Sequence, residues 1–238
     1  MSVSQPAGIV SRDLGGGKLP PLTVWSREGE AAQAIVLIGH GGSQERKGPF
    51  VELMAQRILR RIPACVAAID GPAHGDRRAQ DVDTRDAFVR LWRSPGGGVA
   101  GMVADWREAL AVVRGLAGAD ALPVGYYGVS MGTAFGVPFL ASEPNVTAAV
   151  LGMWEDAVGG SQHLIEAAPK VSCPLQFVYR NRDEFFSQAG ARRLFDLLGS
   201  EDKTFVELPG PHEETFDQID QAAAFLAERL LPRMQQGC

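Results

Sequence analysis

From Ala34 onward the chain alternates short, nearly unbroken apolar runs with longer amphipathic stretches, and few folds accept that alternation. AIVLIG (34–39) and ACVAAID (64–70) read as strands buried on both faces, which is how strands look in a parallel sheet covered by helices. Strands are expected at 34–39, 64–70, 124–128, 146–151, 175–179 and 204–208. Helices are expected near 49–61, 99–116, 131–140, 161–168, 187–198 and 216–230. LPPLTVW, ahead of Ala34, adds an antiparallel edge strand or hairpin. Pro138 removes a hydrogen bond from the interior of the 131–140 helix, so a bend or an early stop is expected there.

Charge and cysteine content narrow the function. A net charge of −5 offers no basic field for a nucleic acid backbone, so no nucleic acid partner is expected. The uncharged run ALPVGYYGVSMGTAFGVPFLAS (121–142) is long enough to cross a bilayer. Its four glycines and two prolines suit a strand, a turn and a helix better, and no membrane association is expected. The first 18 residues carry no basic segment followed by an apolar one, which points to a cytoplasmic location. Cys65, Cys173 and Cys238 are odd in number, far apart and without CxxC, so neither a disulfide framework nor a metal site is expected. Cys65 and Cys173 should be buried and the terminal Cys238 mobile.

One motif carries chemistry. Gly128, Val129, Ser130, Met131 and Gly132 form GxSxG between an expected strand and an expected helix, the setting of a nucleophile elbow. A serine hydroxyl needs a base to take its proton and an acid to orient that base. His212, in PGPHEE after the strand TFVEL, is placed to be the base, and Asp183, after LQFVY, to be the acid; Glu184, Glu155 and Asp156 are the alternative acids. The order Ser, Asp, His puts each group at the C-terminal end of a successive strand. A developing oxyanion needs two backbone N–H groups aimed at one point. Met131 supplies one, and the loop His40-Gly41-Gly42-Ser43 the other, through Gly42 or, failing that, Ser43. His74, in DGPAHGD, reads as part of a structural turn.

GHGGS, DGPAHGD, GVSMG, RNRD and PGPH, in this order, resemble the α/β-hydrolase superfamily, in its dienelactone hydrolase and small carboxylesterase-like branch, over roughly 31–231. The resemblance implies an α/β fold with a mostly parallel sheet of about eight strands, a Ser130–His212–Asp183 triad and no cofactor. Arg180 stands where that family commonly has glycine. Serine replaces the cysteine of dienelactone hydrolases proper, which points to ester chemistry of a general kind.

The expected protein is therefore a single hydrolase domain spanning 1–238: a cytoplasmic serine hydrolase that cleaves a small or medium carboxylic ester through an acyl-enzyme. A homodimer is open. Residues 76–98 are long for a strand-to-helix link and form either a small lid, with Phe88, Leu91 and Trp92 toward the pocket, or a helix packed plainly on the sheet. Trp92, Met153 and Trp154 are the expected substrate-binding residues. The alternatives keep the triad but act on a thioester, amide or carbon–carbon bond, transfer the acyl group to another acceptor, or use peroxide; another is a non-catalytic ligand-binding protein of the same fold.

Overall fold

Alternation along each central strand sends side chains to two separate cores. In the computed structural model, which describes residues 8–16, 19–118 and 121–231, Ile35 and Leu37 enter one core while Val36 and Ile38 enter the other. Cys238 lies outside the described residues. The strands are β1 (Ile9–Gly16), β2 (Leu19–Arg27), β3 (Ala34–Gly39), β4 (Ala64–Ile69), β5 (Val124–Gly128), β6 (Val146–Gly152), β7 (Leu175–Arg180) and β8 (Lys203–Leu208). The helices are α1 (Pro49–Arg61), α2 (Thr84–Trp92), α3 (Val99–Ala117), α4 (Met131–Ser142), α5 (Gln162–Ala167), α6 (Gln188–Leu197) and α7 (Phe216–Leu230), with single 3₁₀ turns at Gly75–Arg77 and Ala168–Lys170.

The strands form one eight-stranded sheet in the order β1-β2-β4-β3-β5-β6-β7-β8. Pairing is parallel from β4 across to β8, while β1 with β2 and β2 with β4 are antiparallel. LPPLTVW is thus the inner strand of a hairpin, and the sheet has eight strands and is mostly parallel, as expected. Met54 and Ile58 of α1 and Ile219 and Leu226 of α7 cover one face. Trp106 of α3, Phe135 and Phe139 of α4, Leu164 of α5 and Leu194 of α6 cover the other.

Two expectations change. Of the bend or early stop expected at Pro138, the early stop does not occur: helix α4 runs past it to Ser142. Residues 131–140 are all buried, and burial against β3, β5, β6 and α3 outweighs the one hydrogen bond that Pro138 removes from the helix interior. Cys65 is buried, but Cys173 is only partly so. The uncharged 121–142 run divides into β5, a turn and α4. Among the described residues no helix is long and apolar enough to cross a membrane. In the 76–98 segment, α2 turns Phe88 and Trp92 into the core.

The turn after β4 is organised by a buried charge. Asp70 is fully buried and accepts from the Arg46 guanidinium, from Arg46 N–H at 3.0 Å and from Asp76 N–H at 2.9 Å. Arg46 also donates to Thr23 Oγ1 at 3.1 Å and to Asp76 at 2.6 Å. Gly75, at φ +51°, passes so close to Asp70 that a Cβ there would overlap the carboxylate. Removing one member of a buried ion pair strands the other, at about 3–5 kcal/mol. Asp70→Asn should therefore destabilise the fold by roughly 3 kcal/mol, the low end of that range because Asp76 still faces Arg46. Urea unfolding checks this: a midpoint unchanged from the parent would show that the pair contributes nothing net.

Candidate active site

Strand β5 ends and α4 begins within two residues, and the turn between them holds Ser130 at φ 56°, ψ −122°. A residue with a Cβ occupies that region only under constraint. Here the constraint comes from β6: Ser130 N–H donates to the Gly152 carbonyl at 2.9 Å, and the Thr133 hydroxyl accepts from Gly152 N–H at 2.7 Å. It also comes from close backbone approach, since a Cβ on Gly132 would lie 2.5 Å from the Gly39 carbonyl oxygen. The motif's last glycine lets α4 settle against β3 and lifts Ser130 above the sheet.

Loops after β7 and β8 bring two more side chains to Ser130. His212 Nε2 lies 3.0 Å from Ser130 Oγ, and His212 Nδ1 lies 2.7 Å from Asp183 Oδ2. The Asp183 side chain is fully buried, and its Oδ1 accepts from the N–H groups of Phe185 and Phe186 at 2.9 and 3.0 Å. A carboxylate can only accept, so Nδ1 carries the proton and Nε2 is free to accept from the serine. The alternative acids are engaged elsewhere. Glu155 accepts from Ser187, Asp156 binds Arg193, and Glu184 accepts from the backbone N–H of His212. Arg180 is buried and donates from Nε to the Pro211 carbonyl at 3.2 Å, which braces the residue next to His212. Arg182 N–H to the Gly210 carbonyl and Gly210 N–H to Asn181 Oδ1 tie the two loops together.

The loop after β3 approaches from the other side. A Cβ on Gly42 would stand 4.0 Å from Met131 Cβ and 3.8 Å from Phe88, so the two candidate donor residues are neighbours. Met131 is the first residue of α4, and its N–H has no acceptor within the helix. His40 Nε2 accepts from Gly71 N–H at 2.8 Å, so its proton sits on Nδ1 and is given to the Gly41 carbonyl at 2.8 Å. Burial pushes the His40 imidazole down to about 4, which keeps it neutral.

The three residues expected to bind substrate lie at different depths. Trp154 is buried, 4.8 Å ring to ring from Phe186, and Trp92 lies behind it at 5.4 Å. Met153 is buried in the opposite core, where its sulfur receives Gln218 Nε2 at 3.5 Å. The rings beside His212 are Phe185 and Phe186, at 5.1 and 5.2 Å, and Arg85 of α2 lies 4.4 Å over Phe185. Sequence reasoning misses these two phenylalanines. Their signal is a pair of large apolar residues in the otherwise charged loop RNRDEFF. It also misses Glu214, whose buried carboxylate accepts from Tyr127 Oη at 2.6 Å and from Gln44 Nε2 at 2.7 Å, tying the histidine loop to the loop after β3. Among the described residues no cluster of His, Cys, Asp and Glu could hold a metal ion.

The chain is similar to a cold-adapted esterase from an Arctic intertidal metagenomic library, solved with bound polyethylene glycol. Identity is 31% over 96% of this chain and 97% of that one, with a TM-score of 0.85. A dienelactone hydrolase from Anabaena variabilis shares the fold at 18% identity, 93% and 95% coverage and a TM-score of 0.69. So does a 2,6-dihydroxy-pseudo-oxynicotine hydrolase, at 16% identity, 93% and 68% coverage and a TM-score of 0.65. No protein-family model matches the chain, and no curated protein matches it in sequence.

Burial raises the carboxyl of Glu214 above its ordinary value of 4.5. A raised value in the folded state means that stability is full below pH 4.5 and is lost as pH rises through the folded value. Glu214→Gln keeps an acceptor for Tyr127 and carries no charge. Its melting temperature relative to the parent should therefore rise between pH 4 and pH 8; a difference that stays flat or falls over that range contradicts the assignment.

Proposed function

The chain belongs to the α/β-hydrolase superfamily, among its dienelactone hydrolase-like esterases, and from that premise we propose that it is a serine esterase acting on a small or medium carboxylic ester. The observation that carries the reading is the hydrogen-bonded line from Ser130 through His212 to Asp183. Ser130 Oγ attacks the ester carbonyl carbon while His212 Nε2 takes its proton. Asp183 holds the ring in the tautomer that leaves Nε2 open and stabilises the imidazolium that forms. The N–H groups of Met131 and Gly42 receive the charge that builds on the carbonyl oxygen. The tetrahedral intermediate collapses to an acyl-enzyme, and the alcohol departs with the proton from His212. Water, activated by the same histidine, then releases the acid.

In this reading the chain works as one unit, in the cytoplasm, and the reaction draws only on the protein's own groups. Phe185 and Phe186 form the apolar wall of the pocket beside His212, and Trp154 and Trp92 back that wall from beneath. Met153 contributes through the turn that follows β6. Within residues 76–98, helix α2 packs on the core through Phe88 and Trp92, and Phe88 reaches the Gly42 loop, so any lid over the pocket is limited to the rest of that segment.

Substitution of the nucleophile tests this. Ser130→Ala should lower turnover of short p-nitrophenyl esters by about 10⁴-fold or more and abolish covalent labelling by a fluorophosphonate, with circular dichroism unchanged. Labelling and turnover that persist in this variant would remove Ser130 from the chemistry.

A further inference from the structure

Three segments far apart in sequence meet around Ser130, and one side chain joins them. Glu214 lies two residues beyond His212. Its Oε1 accepts from Tyr127 Oη at 2.6 Å, and Tyr127 is buried on β5, three residues ahead of Ser130. Its Oε2 accepts from Gln44 Nε2 at 2.7 Å, and Gln44 stands two residues beyond Gly42. Both partners donate, so the position calls for a group with two acceptor oxygens. Neither partner is a cation, and enclosing a carboxylate without a counter-charge costs stability. Stability alone would not place glutamate here.

Each end of these contacts is anchored. Gln44 N–H donates to the Gly41 carbonyl at 3.1 Å and closes the turn that contains Gly42 and Ser43. The residue whose side chain holds Glu214 is therefore also the one whose backbone shapes the oxyanion turn. Tyr127 sits in the middle of the parallel sheet, opposite Ile38 of β3 and Val150 of β6. On the histidine side, Glu184 accepts from His212 N–H at 2.9 Å, and Thr215 caps α7 by accepting from Gln218 N–H. Glu214 lies between those two fixed points, so its side chain has little freedom to follow a partner that moves.

We propose that Glu214 is a positioning residue for the esterase reaction: through Tyr127 and Gln44 it fastens the loop of His212 and the oxyanion turn to the strand that carries Ser130, so that base, nucleophile and oxyanion donors hold one geometry. This rests on the reading of Ser130, His212 and the Gly42 turn as the reacting groups. Misplacement by about an ångström at a reacting centre costs on the order of 10²-fold in rate. A loss of that kind appears in kcat, because the contacts of bound substrate are left in place. The link does not depend on the charge of Glu214. A protonated carboxyl keeps both contacts once the Gln44 amide turns over, since that amide offers N–H on one side and oxygen on the other. Gln44 Oε1 is buried and receives no hydrogen bond among the described residues, so it is free to take that role.

Gln44→Met and Glu214→Met break the link from either end with little change of volume, whereas Glu214→Gln keeps an acceptor for Tyr127 and an amide for Gln44. With circular dichroism unchanged, each methionine variant should lose roughly 10–100-fold in kcat on short p-nitrophenyl esters, with KM within about threefold of the parent. Gln44→Met combined with Glu214→Met should be slower than Glu214→Met alone by no more than about threefold, because both substitutions remove the same contact. Glu214→Gln should hold kcat within about threefold of the parent. A folded Gln44→Met variant with parental kcat overturns the proposal. So do losses that multiply in the double variant, losses confined to KM, or a Glu214→Gln variant as slow as Glu214→Met. Should Glu214→Met fail to fold because Tyr127 Oη is left unpaired, Gln44→Met decides, since Gln44 is partly exposed and its removal leaves Tyr127 satisfied. Fluorophosphonate labelling of the parent at Ser130 is read separately. A parent that is not labelled removes the esterase reading, whereas a labelled parent with a fully active Gln44→Met variant removes only this one.

Discussion

Holding a serine at φ 56° between a buried strand and a buried helix is the constraint on which the rest of this molecule turns. Backbone in that region costs of order 1–3 kcal/mol for a residue with a side chain, and it persists only where its surroundings leave no alternative. The surroundings here are β3, whose Gly39 carbonyl touches Gly132, and β6, whose end binds Ser130 N–H and Thr133. Both neighbours are central strands with no exposed edge. The helix that leaves the turn is buried almost throughout, which explains why it carries little amphipathic pattern and tolerates Pro138.

Around that fixed point the loops of the chain are tied to one another. Those after β7 and β8 share the Arg182–Gly210, Gly210–Asn181 and Arg180–Pro211 hydrogen bonds, which fasten the loop of Asp183 to the loop of His212. Glu214 then joins them to the loop after β3 through Gln44. Arg180 is buried and commits its guanidinium to the Pro211 carbonyl beside the histidine. This coupling suits a site whose three contributing loops must agree to within a few tenths of an ångström.

Much of the architecture is legible in the residues because the hydrophobic pattern is strong where burial is complete. The bounds 34–39, 49–61 and 216–230 coincide with β3, α1 and α7. The outer strand β1 is not legible: IVSRDLGG is half exposed and pairs on one edge only, so its pattern is weak. Helix α2 stays open between a lid and plain helix packing, since Phe88 and Trp92 look the same from sequence whether they face a ligand or a core. Ser130, Asp183 and His212 can each be named from their place at a strand end, and their mutual distances follow from parallel register. The ties of Glu214 to Gln44 and Tyr127, and the contact of His74 with the Gly42 carbonyl, depend on segments far apart in sequence. No local pattern carries those.

The hairpin at the sheet's edge is more than a terminal ornament. Asp13 on β1 accepts from the Thr23 hydroxyl on β2 at 2.7 Å, Thr23 in turn accepts from Arg46, and Lys47 reaches back to Asp13. Arg46 and Lys47 stand three and four residues beyond Ser43, in the same connection that carries Gly42. A polar thread therefore runs from the outermost strand into the connection that carries Gly42, beside Met131, so the rim of the sheet and its centre share one chain of contacts.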